Sequence, residues 1–105
     1  APNYQDAVLT AVGVPMQIAA AAAEILVVLE QLAAHANPHL LSDLGVSAVL
    51  AAATTRAARF MVRVNLPELA DSAKRDRFRH DIDRMVEQSQ IRAASLEARA
   101  AGRSS

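Results

Sequence analysis

Apolar positions recur three and four residues apart along this chain, and no run alternates apolar and polar residues long enough to describe a strand. Residues 6–12 predict a short helical stub, which Gly13 ends. Pro15 suits the first turn of a second helix, where its missing N–H costs nothing. Ile18, Ala22, Ile25, Leu29 and Leu32 keep helical spacing from there to about His35. Asn37-Pro38 breaks that helix, because proline disfavours helical backbone in the residue before it. Ser42 is a good N-cap for a third helix, from Asp43 to about Asn65 or Leu66, with Pro67 as its stop. Asp71 caps a fourth and longest helix that ends near Gly102. Residues 99–105 are expected to fray.

Along the fourth helix Phe78, Ile82, Met85, Ser89, Arg92 and Leu96 form a narrow seam flanked by charge. The second and third helices are apolar on most sides instead. Ala48, Ala51, Ala52, Ala57 and Ala58 in the third would let neighbouring helices approach closely. Three long helices cannot cover faces that broad. The expected fold is therefore an all-α, up-and-down bundle of long helices, with its core completed by dimerisation or by a missing N-terminal half. Residues 1–105 read as one helical domain, without internal repeats.

Composition agrees and narrows the partners. Roughly a quarter of the residues are alanine, the strongest helix former. Eleven basic and eleven acidic residues give zero net charge, so nothing draws the chain to nucleic acid or an anionic membrane. One Tyr, two Phe and no Trp leave no stacking platform for single strands. With no cysteine there is no thiol nucleophile, disulfide framework or Cys-based zinc site, which is compatible with a cytoplasmic location. The apolar run over residues 18–32 is interrupted by Glu24 and Glu30 and is too short to span a bilayer. No basic segment precedes an apolar core at the start, so no signal peptide is expected.

Against this background a few polar residues stand out in order: Asn37 in a turn, Ser42-Asp43 with Val46 and Ala48 after it, Arg56, then Val62 and Asn65-Leu66. With Val14-Pro15 opening a helix ahead of them, this set resembles the C-terminal half of the cyclodeaminase/cyclohydrolase family. That family comprises the deaminase domain of formiminotransferase-cyclodeaminase and the stand-alone methenyltetrahydrofolate cyclohydrolases. The resemblance runs from residue 14 to about 96. It departs at Met61, where the family usually carries Asn, and at Ala36, where Gly is common. The family's N-terminal half, with its glycine-rich segment, has no counterpart in these residues, so the chain is expected to be a fragment or a shortened relative.

The resemblance implies a bundle that dimerises, a small-molecule folate pocket near the dimer interface, a tetrahydrofolate derivative as substrate and no metal. The family's reactions are hydrolysis of 5,10-methenyltetrahydrofolate to 10-formyltetrahydrofolate and ring closure of formiminotetrahydrofolate with loss of ammonia. Hydrolysis is the first expectation, because no transferase domain is attached and Arg56 looks like the stand-alone members. Cyclodeaminase is the second, and a non-catalytic dimerisation module derived from the family the third.

Both reactions pass through a tetrahedral carbon between two nitrogens. They need proton transfer and benefit from a fixed negative charge beside the amidinium. Asp43, at a helix start where the dipole favours a carboxylate, fits that second role; a first-turn acid complementing the dipole is the bland alternative. Asn65 could bond a pterin edge, or merely cap a helix end. Arg56 could meet a substrate carboxylate, while Arg59 and Arg63 suit a solvated face or an ion pair across a dimer. Asn37 and Ser42 complete the candidate substrate contacts, with capping as their ordinary role. Met16, Phe60 or Met61 would have to wall a flat ring. His35, His39 and His80 lack metal-ligand spacing. His35 suits a helix C-terminus, and His39 lies close enough to Asp43 to shuttle protons.

Overall fold

The computed structural model describes residues 3–102. Three long helices follow one another: α1 (Tyr4–Ala33), α2 (Pro38–Asn65) and α3 (Ser72–Ala100), with a single 3₁₀ turn, Leu66–Glu68, between the last two. No strand occurs among the described residues, so the all-α, long-helix bundle stands. Each helix starts at a side-chain cap. Asn3 and Asp6 form a reciprocal capping box at α1, and Asp71 accepts from the Lys74 amide at α3.

Two sequence expectations about boundaries are corrected. α1 does not stop at Gly13; it runs unbroken through Gly13 and Pro15. A proline inside a helix forfeits a hydrogen bond, but here a buried seam continues across it: Val8, Val12, Pro15, Ala19 and Ala22 are spaced four, three, four and three. Breaking the helix would throw one half of that seam out of register. α2 begins five residues earlier than expected. Asn37, not Ser42, is its N-cap, accepting from the Leu40 amide at 2.9 Å, and Pro38 occupies the first turn, where proline is favoured. At the far end, α3 is ordered helix through Arg99 and Ala100; the rest of the tail expected to fray, from 103 onward, lies outside the described residues.

The register of the core is also corrected. In α1, Ile18, Ile25 and Leu32 are 40–50% exposed, while Ala19, Leu26 and Ala33 are buried. In α3 the seam passes through Val86 and Ala93, so Arg92 faces out and pairs with Glu30 of α1. Small side chains hold the seam because the helices lie close. A Cβ on Gly45 would stand 2.6 Å from the Ala100 Cβ, so only glycine allows that approach of α3 to α2. The core is thus alanine-rich, and much of the bulk points outward.

Polar contacts fix the ends. Gln5 bridges α1 to the turn after α2, donating to the Glu68 carbonyl and accepting from the Ala70 amide. Arg99 donates to the Ala33 carbonyl at 3.0 Å, giving the C-terminus of α1 a cation that its own last turn lacks. His35, expected in that role, is exposed beyond the end of the helix. As one continuous helix of 30 residues, α1 is long and apolar enough to cross a membrane by length and composition. This corrects the expectation that the apolar run is too short. A core helix passes the same test, and a third of its most apolar stretch is buried.

Candidate functional site

α2 and its N-cap carry Asn37, Ser42, Asp43, Arg56 and Asn65, and the regular geometry of the helix decides which of them share a neighbourhood. Asn37, Ser42 and Asp43 lie at its start. Asn65 is its last residue, about 33 Å from Asp43 at 1.5 Å per residue. Around the axis Asp43 and Asn65 differ by only about 40°, whereas Arg56 is turned about 140–180° from both. One chain therefore does not bring these residues together.

The local roles follow. The Asn37 side-chain oxygen is committed to its cap. Ser42 and Asp43 are exposed. With α2 starting at Pro38, Asp43 is its sixth residue and lies beyond the first turn, to which the dipole effect is largely confined. The expectation drawn from a helix start is corrected accordingly: the dipole of α2 does not single out Asp43. His39 stands one turn before Asp43 on a nearby face, also exposed. Arg56 is exposed, while Arg59 and Arg63 both approach Asp83 of α3, at 4.0 and 3.0 Å. That pairing lies within the chain rather than across a dimer. Among the described residues, no group of three acidic, histidine or cysteine side chains comes together.

A cleft does open beside Asn65. A pocket of about 500 Å³ lies between α1 and the end of α2, walled by Val14, Pro15, Phe60, Met61 and Val64, with Thr10 and Asn65 as its polar groups. Asn65 donates its amide N–H to the Met61 carbonyl at 2.9 Å, which leaves its side-chain oxygen to accept from a ligand. Phe60 is 70% exposed and offers the flat wall. Met16 lines a different pocket, between α1 and α3, with Met85, Asp81 and Arg84. Thr10 escaped the sequence reading, and Val14 entered it only as part of a helix-opening motif, because a helix break was expected between them. The unbroken seam from Val8 to Ala22 was the signal that joined them.

Farther along the same face, a second open pocket of about 470 Å³ is lined by Ile18, Ala21 and Ile25 of α1 and by Ser47, Leu50 and Thr54 of α2. Helical spacing places both pockets along one side of the α1–α2 pair. Its α2 edge is the row Ser47, Leu50, Thr54, Ala57, Met61 and Val64, which Asp43 extends at the N-terminal end.

The model of the family described as formiminotransferase-cyclodeaminase matches residues 1–84. The formimidoyltransferase-cyclodeaminase of Rattus norvegicus is 32% identical over 99 residues, covering 90% of this chain. That of Mus musculus is 31% identical over the same length and share. In both comparisons the chain spans 18% of the relative's length. No solved structure matches it.

Proposed function

The chain belongs to the formiminotransferase-cyclodeaminase family, and from that premise we propose that it serves folate one-carbon chemistry as a cyclodeaminase, closing the ring of formiminotetrahydrofolate with loss of ammonia. The family match carries this reading, and it reverses the order of the two reactions weighed from sequence. Both relatives bear cyclodeaminase in their names, while the absence of a transferase domain carries no weight in a chain spanning 18% of them.

The chemistry asks for little machinery. The lone pair of the folate N10 adds to the formimino carbon, and N10 gives up its proton. The exocyclic nitrogen gains protons and leaves as ammonia, so the carbon remains as a methenyl cation bridging N5 and N10. Positive charge develops on the methenyl bridge as ammonia departs, and a fixed carboxylate beside it lowers the energy of that delocalised cation. Asp43 is the residue we assign to that role and to receiving the N10 proton. His39, one turn away, is suited to relay protons to the departing nitrogen.

The cleft beside Asn65 supports the binding half of the reading. Its mostly apolar walls with a few polar groups suit a flat heterocycle. The free Asn65 oxygen would accept from a pterin N–H, and Phe60 with Met61 would cover a ring face. A homo-oligomer in the cytoplasm goes with this assignment.

The test is direct. Purified protein is given formiminotetrahydrofolate, and methenyl absorbance and ammonia are followed together. Their matched appearance above the buffer blank is expected; no rate from folded protein overturns the reading. Methenyltetrahydrofolate supplied instead distinguishes the hydrolytic alternative.

A further inference from the structure

We propose that the cavity between α1 and α3 is a binding site for an aromatic α-amino acid, with Asp81 receiving its ammonium, Arg84 its carboxylate, and Met16 and Met85 its ring. The cavity shares no lining residue with the cleft beside Asn65, so the proposal stands apart from the folate assignment.

The cavity measures about 380 Å³, inside the range of roughly 300–1,000 Å³ that small-molecule sites occupy. Helical spacing builds it. Met16 and Ala20 stand one turn apart on α1, and Asp81, Met85 and Gln88 keep spacings of four and three on α3, so each helix turns one row toward the space. The half-buried Met16 and Met85 give it depth, and Ala20, with only a methyl group, leaves room opposite them. The exposed side chains of Gln17, Asp81, Arg84 and Gln88 form the rim.

The charges on that rim are open. Asp76 and Arg79, three residues apart on the same helix, close on each other at 3.1 Å. Asp83 is taken by Arg59 and Arg63, and Arg92 by Glu30. Asp81 and Arg84 have the same three-residue spacing as Asp76 and Arg79, yet neither has an ion-pair partner among the described residues. Their backbones lie about 4.5 Å apart along the axis. A free anion and a free cation thus flank one apolar floor within a single turn.

That arrangement selects the ligand. An amine alone would leave Arg84 unused, and a carboxylate alone would leave Asp81 unused. A zwitterion engages both, and in an α-amino acid the two charges sit on either side of one carbon, matching their spread over one turn. The guanidinium fork can take the carboxylate bidentately. Gln17 and Gln88 both donate and accept, which completes the hydrogen bonds of either end. The ligand side chain then falls on the two thioethers. Methionine sulfur contacts aromatic rings favourably and its unbranched chain adapts to a flat surface, so a ring is the fitting side chain.

The methionines supply the test. The chain has three: Met16 and Met85 line this cavity, and Met61 lines the cleft beside Asn65. L-Phenylalanine is titrated into the full chain carrying carbon-13 methionine methyls, assigned with Met16→Leu, Met61→Leu and Met85→Leu. Movement of the Met16 and Met85 signals with Met61 unmoved is expected, with a Kd of about 1 mM. Phenylalaninamide, which lacks the carboxylate, and N-acetylphenylalanine, which lacks the ammonium, should each bind about 3–5-fold more weakly, the scale of one exposed charge pair. Arg84→Gln should no longer distinguish phenylalanine from its amide, and Asp81→Asn should no longer distinguish it from the acetyl form. Both positions are exposed, and circular dichroism confirms that the variants stay helical. Still signals for Met16 and Met85 up to about 20 mM ligand, or equal movement of all three methyls, overturn the proposal. Variants that keep the parent's discrimination remove Asp81 and Arg84 from it, and L-leucine binding as tightly as phenylalanine refutes the aromatic class.

Discussion

Asp43 and Asn65 look out from the same side of α2 but stand at its opposite ends, roughly six helical turns apart. A carboxylate and an amide so separated serve one small molecule only if something brings the ends together. Any catalytic role for Asp43 must therefore be tested apart from its role in the fold.

Asp43→Asn should lower turnover about 100-fold, the scale of losing one group that stabilises transition-state charge. Asp43 is exposed and has no ion-pair partner among the described residues, so stability should change by no more than about 0.5 kcal/mol. Kinetics and thermal melts on the same preparations check both. Unchanged turnover would leave Asp43 an ordinary surface acid and favour a structural role for the chain.

The reassigned cap gives a second test. Asn37→Ala should cost about 1 kcal/mol, because the Leu40 amide loses its acceptor. Ser42→Ala, on the exposed side of the second turn, should be close to neutral. Urea unfolding of the two variants orders them, and the reverse order would restore the later helix start.

Gly45 tests the approach of α3 to α2. Gly45→Ala should destabilise by about 1–3 kcal/mol through overpacking against Ala100. In an Ala100→Gly background the clash is gone. The same substitution should then stabilise by up to about 1 kcal/mol, the helix-propensity difference. A double-mutant cycle reads the change of sign.

Tyr4 gives a pH test. Its hydroxyl donates to Glu68 at 3.1 Å, and that bond, with the nearby negative charge, raises the phenol above its ordinary value of 10.0. A raised folded pKa means that the contact's contribution is fully present below the unfolded value and fades as pH climbs through the folded one. As the chain's one tyrosine, with no tryptophan, Tyr4 can be followed by ultraviolet absorbance. Glu68→Gln should move its midpoint down toward 10; an unmoved midpoint would mean that the two do not meet in solution.

Much of this was legible in the residues. The helical class, the cap at Asp71 and the resemblance all followed from spacing and order. The register did not, because α1 is apolar on two sides, so periodicity offered both an Ile18–Ile25–Leu32 row and an Ala19–Leu26–Ala33 row. Bulk favours the first; close helix packing against the alanines of α2 selects the second. Asn37-Pro38 was equally ambiguous. A proline after a capping residue ends one helix and begins the next with the same chemistry. Arg92 was misassigned for a related reason: a seam drawn at fixed spacing cannot foresee that Glu30 waits on a neighbouring helix.

The bond from Arg99 to Ala33 means that sequence likeness and mechanical integrity have different borders. The family match ends at residue 84, midway through α3, yet the cation that seals the end of α1 sits fifteen positions later. A protein trimmed to its recognisable portion would lose that seal, and the turn ahead of Asn37 would be the first place to loosen. Expression boundaries for this chain should follow the guanidinium, not the alignment.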